Sequence, residues 1–94
     1  MKKFQFVNLL YDISILLLSD ICYVTKDKLK KLIGKRIVEL REQKGWNQSD
    51  LARACGKDRQ AIEKIENGKV NPTLYSLYEI ALALEISLNK LISF

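Results

Sequence analysis

Residues 48–66 read QSDLARACGKDRQAIEKIE and decide the fold, because they contain two short amphipathic segments on either side of one glycine. Gly56 accepts the positive φ that a tight turn requires. Ala52 is small enough to let two helices cross closely, and Ile62 offers an apolar anchor on the second helix. Each of these residue types is common, but their spacing together predicts two helices joined by a turn of about three or four residues.

Capping residues mark where these two helices begin. Asn47 is followed by Asp50 three residues later, which approximates a capping box at the start of the first helix. Asp58 can cap the second helix, which the pattern places at residues 59–66. With these start signals, the small residue, the glycine and the apolar anchor predict a helix-turn-helix.

The remaining helices follow from apolar residues that recur at three- and four-residue steps. One such stripe runs through the strongly basic segment 25–44, and two others follow the capping residues Thr73 and Ser87. No alternating strand pattern competes in residues 30–94. The sequence therefore predicts an all-α domain of five helices over residues 25–94.

Composition limits the class of protein. A chain of 94 residues forms one small domain, and its net charge of +5 favours an anionic partner such as nucleic acid or a membrane surface. It contains no His, the commonest general base and metal ligand. Cys22 and Cys55 form no CxxC pair and are interpreted as small buried side chains in a reducing cytoplasm. We therefore expect no metal, no cofactor and no enzyme active site.

Residues 33–94 resemble the Cro/phage-repressor class of helix-turn-helix domains, the XRE-type family. The most specific matching segments are NQSDLA at 47–52, IEKIENGK at 62–69 and NPTLYSLYEIALALEISLNKL at 71–91. The resemblance implies a five-helix, lambda-repressor-like fold and the function of a sequence-specific, repressor-type transcriptional regulator that binds double-stranded DNA.

The same resemblance implies that Arg59, Gln60 and Lys64 face base edges. Their chemistry fits, because Arg or Lys pairs with guanine O6 and N7 and Gln pairs with adenine N6 and N7. The alternative is a solvated polar face, which most exposed helix surfaces are. Asp58 departs from the family, which often has Ser or Thr there. It either caps the helix or accepts a hydrogen bond from cytosine N4, and its charge is unfavourable near phosphates.

Further roles follow from the resemblance alone. Gln48, at a helix N-terminus where phosphate is favoured, is expected to contact the DNA backbone. Asn67 and Lys69 lie in the loop after the helix at residues 59–66, the recognition helix, and are expected to contact phosphate too. Arg41 and Glu66 match a partly buried salt bridge that ties the first helix to the end of the third.

Residues 1–24 lie outside the resemblance and form an apolar N-terminal extension with three open interpretations. The biological start could lie downstream at Val24, where the composition changes. Residues 4–24 could instead pack on a partner subunit, since such an apolar surface needs covering. The third interpretation is membrane contact, which Asp12 and Asp20 disfavour because a carboxylate is costly in lipid.

A homodimer is expected, because one recognition helix contacts few bases. We expect its interface on the final helix, at Leu88, Leu91, Ile92 and Phe94, although the same residues could close the monomer's own core. The second hypothesis is a DNA-binding antitoxin that binds a toxin protein and represses its own gene. The sequence does not separate these functions from that of a restriction–modification controller.

Overall fold

The computed structural model describes residues 24–93, and within them it is entirely helical. The five helices are α1 (Lys26–Gln43), α2 (Gln48–Cys55), α3 (Arg59–Glu66), α4 (Leu74–Ala83) and α5 (Leu88–Leu91). This confirms the all-α fold. Residues 1–23 and Phe94 lie outside the described residues, and with them the interpretations of the N-terminal extension and the expected roles of Cys22 and Phe94.

Every helix begins at a side-chain cap. In each case the capping oxygen accepts a hydrogen bond from the backbone N–H three residues later, and the caps are Thr25, Asn47, Asp58, Thr73 and Ser87. The α2 cap is reciprocal, because the Asn47 N–H also donates to Asp50 at 2.9 Å. The Asp58 side chain accepts from the Ala61 N–H at 2.8 Å, so Asp58 caps α3. These local bonds fix where the short helices start.

The core lies where the inner faces of α1 to α5 meet. Of residues 24–93, eleven apolar side chains are buried there: Ile37, Leu40, Leu51, Ala52, Ile62, Ile65, Leu77, Ile80, Ala81, Leu84 and Leu91. Ala52 and Ile62 lie on the facing sides of α2 and α3, and Gly56 adopts a left-handed conformation between the two helices. Burial at these positions sets the crossing of α2 and α3.

Gly34 brings α1 against the C-terminal end of α3. A Cβ atom at this position would lie 2.3 Å from the carbonyl oxygen of Glu66 and 2.6 Å from that of Ile65. Both distances are far below ordinary contact, and both neighbours are backbone atoms that cannot rotate away. The absence of a side chain at Gly34 therefore allows the two helices to approach this closely.

The C-terminal helix is used mainly inside the monomer. Leu91 is fully buried in the core, and Leu88 packs against it, whereas Ile92 is partly exposed. Leu91 is therefore unavailable to a partner, which corrects its expected place in a dimer interface. Cys55 is only half-buried, rather than buried as expected, and burial raises the pKa of its thiol.

A more extensive exposed apolar surface lies on α4. Leu74, Tyr75, Tyr78 and Leu82 are 68%, 67%, 44% and 57% exposed. Because the other side of α4 carries Leu77, Ile80 and Ala81 into the core, this helix is apolar on both faces. We call these four residues the α4 outer face. No helix among residues 24–93 is long and apolar enough to cross a membrane.

Candidate nucleic-acid interface

The outer face of α3 presents three polar side chains at the protein surface. Arg59, Gln60 and Lys64 are all exposed, while Ile62 and Ile65 on the opposite face are buried. The three polar residues lie within the first two turns of the helix. This geometry fits side chains that enter a groove of DNA while the helix remains packed on its own domain.

A shallow groove runs beside α3. It has a volume of about 350 Å³ and is bordered on one side by Gln60 and Lys64. Its other side is formed by the α3–α4 connection and the start of α4, with Asn71, Thr73 and Ser76 among the lining residues. Hydrogen-bond donors and acceptors therefore line the groove on both of its sides.

A chain of hydrogen bonds joins the start of α2 to both ends of α3. The Gln48 side chain donates from Nε2 to Glu66 Oε1 at 2.8 Å. Its carbonyl oxygen accepts from Arg59 Nη1 at 3.0 Å. Both polar atoms of Gln48 thus have protein partners, and Arg59 is held at the first position of α3.

Glu66 is the centre of this network. It is buried, and Arg41 donates to it from Nε at 2.7 Å and from Nη2 at 3.1 Å. The third guanidinium nitrogen of Arg41, Nη1, donates to the Trp46 carbonyl oxygen at 2.8 Å. The structure thus places the two charged residues in direct contact, with their hydrogen-bonding capacity largely used inside the protein.

The phosphate contact expected at Gln48 can draw on two kinds of donor, the side-chain amide and the backbone N–H groups at the start of α2. The first N–H groups of α2 have no partner within the helix, and the helix dipole favours an anion there. Since the Gln48 side chain is engaged by Glu66 and Arg59, and Asn47 already accepts from the Asp50 N–H, the remaining donors at this end of α2 are the backbone N–H groups of Gln48 and Ser49. The sequence already indicated that this helix N-terminus favours phosphate. It did not indicate that Glu66 and Arg59 engage the Gln48 side chain.

A carboxylate on α3, that of Glu63, pairs with the lysine of the loop that follows this helix. Glu63 Oε2 accepts from Lys69 Nζ at 3.0 Å and from Asn67 Nδ2 at 2.6 Å. The hydrogen bond from Lys69, together with that from Asn67, lowers the pKa of the Glu63 carboxyl group below its ordinary value. Both loop residues that are expected to contact phosphate, Asn67 and Lys69, are therefore held by a partly exposed negative charge.

Sequence reasoning overlooked Gly34, the two-sided role of Gln48 and the involvement of Glu63. Gly34 had a detectable signal, because it interrupts an otherwise good helix on the buried side of α1. The Glu63–Lys69 pair had none, because its six-residue separation crosses the end of α3 and depends on the loop conformation. Among residues 24–93 there is no group of three or more His, Cys, Asp or Glu that could hold a metal ion.

The fold and the exposed α3 face define a DNA-binding transcriptional regulator of the helix-turn-helix class. The family model named HTH_3, described as helix-turn-helix, matches residues 37–91, and the chain belongs to this family. Among its relatives is an uncharacterized HTH-type transcriptional regulator, y4dJ, of Sinorhizobium fredii (strain NBRC 101917 / NGR234). It is 35% identical over 65 residues, which cover 69% of this chain and 84% of the relative.

Two further comparisons involve proteins with different named roles. Antitoxin HipB of Escherichia coli (strain K12) is 39% identical over 49 residues, covering 52% of this chain and 56% of HipB. The crystal structure of the restriction-modification controller protein C.AhdI from Aeromonas hydrophila superposes with a TM-score of 0.64 at 35% identity. That match covers 66% of this chain and 90% of C.AhdI.

Proposed function

We propose that this protein is a cytoplasmic, repressor-type transcriptional regulator that recognises operator DNA through α3. Arg59, Gln60 and Lys64 contact base edges in the major groove. The proposal is carried by one observation: these exposed side chains project from a helix whose opposite face is in the core and whose end is fixed through Glu66. A rigidly held helix can present the same donors and acceptors to every binding site.

Contacts to the DNA backbone set the register of α3. We assign them to the N-terminal turn of α2 at Gln48 and to Asn67 and Lys69 in the following loop. Lys69 would exchange its contact with Glu63 for a phosphate oxygen. Such contacts add affinity in a salt-dependent way but do not distinguish one sequence from another.

The regulator acts as a homodimer in this proposal, with the α4 outer face as the interface. Leu74, Tyr78 and Leu82 are spaced four residues apart and form one ridge, which a second copy can pack against. Their exposure supports this choice over the C-terminal helix, where Ile92 is the exposed apolar residue. Two copies would place their α3 helices in half-sites about 34–36 Å apart.

Selection of bound sequences from random DNA tests the function. The wild-type protein should enrich a defined site. Gln60→Ala should relax the preference at one or two positions, whereas Lys69→Ala should weaken binding to all sequences and reduce its salt dependence. Asn89→Ala, an exposed change on α5, is the matched control and should leave the selected site unchanged. Enrichment of no sequence at low salt would refute the proposal.

The second candidate is an antitoxin that also represses its own gene. It is favoured by the similarity to HipB and by the α4 outer face, which a toxin could cover in place of a second copy. Co-purification with the product of an adjacent gene, lost in a Leu82→Gln variant and retained in Gln60→Ala, would support it. The similarity to C.AhdI makes a restriction–modification controller a further form of the same DNA-binding function.

A further inference from the structure

Three lysines form a row along α1. Lys28, Lys31 and Lys35 are three and four residues apart, so they lie on one face of the helix. All three are exposed, and none forms an ion pair within residues 24–93. We call these residues the α1 basic row. Their charges are therefore free to attract an anion.

Two other cationic residues of α1, Lys30 and Arg36, are paired with carboxylates. Lys30 pairs with Asp27 at 3.4 Å, and Arg36 pairs with Glu39 at 3.7 Å. Glu42, which is exposed, lies on the same face as the basic row but two turns beyond Lys35. The uncompensated positive charge is thus confined to the first two-thirds of the helix.

The α1 basic row lies beside the loop that follows α3. A Cβ atom at Gly68 would lie 2.8 Å from Lys31 Cγ and 3.3 Å from the Lys31 backbone, so Lys31 lies directly against this loop. Gly68 separates Asn67 from Lys69, the two residues assigned to phosphate contact. One turn further along α1, Gly34 contacts the end of α3. The row therefore continues the positively charged side of α3 and its loop.

We propose that the α1 basic row is a second backbone-binding surface, which contacts phosphates flanking the base pairs that α3 recognises. This inference rests on the proposed function, because it assumes that α3 faces DNA. Lys28 and Lys35, the ends of the row, are seven positions apart, which is about 10 Å along the helix. One DNA strand carries a charge about every 3.4 Å along its axis, so three lysines over this length match the phosphate density.

The consequence is a footprint longer than the helix-turn-helix alone would give. Lysine suits this role because its charge sits on a flexible stem that adapts to phosphate positions without reading sequence. The basic row should therefore strengthen binding to specific and random DNA by the same factor. It should also steepen the salt dependence of both.

The test is DNA binding by fluorescence anisotropy over a range of salt concentrations, with the selected duplex and a random duplex. For Lys31→Gln/Lys35→Gln, we expect the slope of log affinity against log salt to become shallower by about 1.8, or 0.9 per lost contact. Affinity should fall on both duplexes, with the preference for the selected duplex retained. Lys31→Arg/Lys35→Arg should keep the wild-type slope.

The charge-matched control is Lys26→Gln/Lys90→Gln. Lys26 lies about 140° around α1 from Lys31. The Lys90 carbonyl oxygen accepts a hydrogen bond from Arg36. Arg36 lies about 140° around α1 from Lys31 in the opposite direction, so Lys90 is also away from the α1 basic row. If the control and Lys31→Gln/Lys35→Gln have equal slopes of log affinity against log salt, the proposed role of the α1 basic row is wrong. Loss of sequence preference in the wild type itself would instead overturn the function on which it rests.

Discussion

The Arg41 guanidinium group donates two hydrogen bonds to the buried Glu66 carboxylate, from Nε at 2.7 Å and from Nη2 at 3.1 Å. This pair connects α1 to the last residue of α3, so it positions the recognition helix as well as stabilising the core. A buried charge that loses its partner is costly, whereas an exposed ion pair contributes little.

Removing one member of this pair should destabilise the fold strongly. We expect Arg41→Ala to lower the free energy of unfolding by about 3–5 kcal/mol, because it leaves the Glu66 carboxylate buried without its cation. Urea denaturation followed by circular dichroism measures this. Glu85→Gln, which removes an exposed pair with Lys44, is the control and should cost less than about 1 kcal/mol. Similar losses for both variants would contradict a structural role for the buried pair.

Substitution of Gly34 tests the close approach of α1 and α3. In an exposed helix a change from Gly to Ala stabilises by up to about 1 kcal/mol. Here we expect the opposite sign, with Gly34→Ala losing about 1–3 kcal/mol, because the new methyl group meets the Glu66 and Ile65 carbonyl oxygens. Thermal unfolding gives the sign directly, with the exposed neighbour Lys35→Ala as the control. A stabilised Gly34→Ala protein would mean that the two helices are further apart.

Neutralising Glu63 should strengthen DNA binding. Glu63→Gln removes a negative charge from α3, beside the loop that is proposed to contact phosphate, and releases Lys69, so affinity should rise and the salt slope should steepen by about 0.9. Glu85→Gln again serves as the control.

The pKa of Glu63 sets the pH range of this effect. Because hydrogen bonds from Lys69 and Asn67 lower that pKa, the carboxylate stays charged across neutral and mildly acidic pH. The difference between Glu63→Gln and the wild type should therefore persist there, and diminish only as the pH falls through the lowered pKa. A difference that vanishes near neutrality would show that another group controls Lys69.

The α4 outer face should control self-association. We expect Leu82→Gln to shift the protein from dimer to monomer without loss of helical content, since Leu82 is 57% exposed in the monomer. Sedimentation velocity measures the change. Ile92→Gln, which alters the exposed apolar residue after α5, separates the two candidate interfaces. Dissociation by Ile92→Gln and not by Leu82→Gln would return the interface to the C-terminal helix.

Local signals made the helices predictable. Asn47, Asp58 and Thr73 each cap a helix through the third residue beyond, and such bonds are encoded within one turn of sequence. The predicted limits of α3, residues 59–66, are those observed. The crossing of α2 and α3 was also predictable, because close packing of the two helices requires a small residue, Ala52, and the turn requires a glycine, Gly56.

The side-chain partners were less predictable, because they depend on distances between helices. Gln48 is 18 residues from Glu66 and 11 from Arg59, and only the folded arrangement brings its amide between them. The α4 outer face was only partly predictable. The periodicity after Thr73 predicts a buried stripe at Leu74, Leu77, Ile80, Ala81 and Leu84, and the last four are buried, whereas Leu74 is 68% exposed.

The contact at Gly34 shows that the parts of α3 that hold it in place differ from the side chains proposed to recognise DNA. The helix is anchored through its backbone and its last residue, while Arg59, Gln60 and Lys64 contribute little to the core. Substitutions at those three positions should therefore change the free energy of unfolding only slightly. If these three residues read bases as proposed, a lineage carrying this domain can acquire a new operator through a few surface substitutions, with the scaffold left intact.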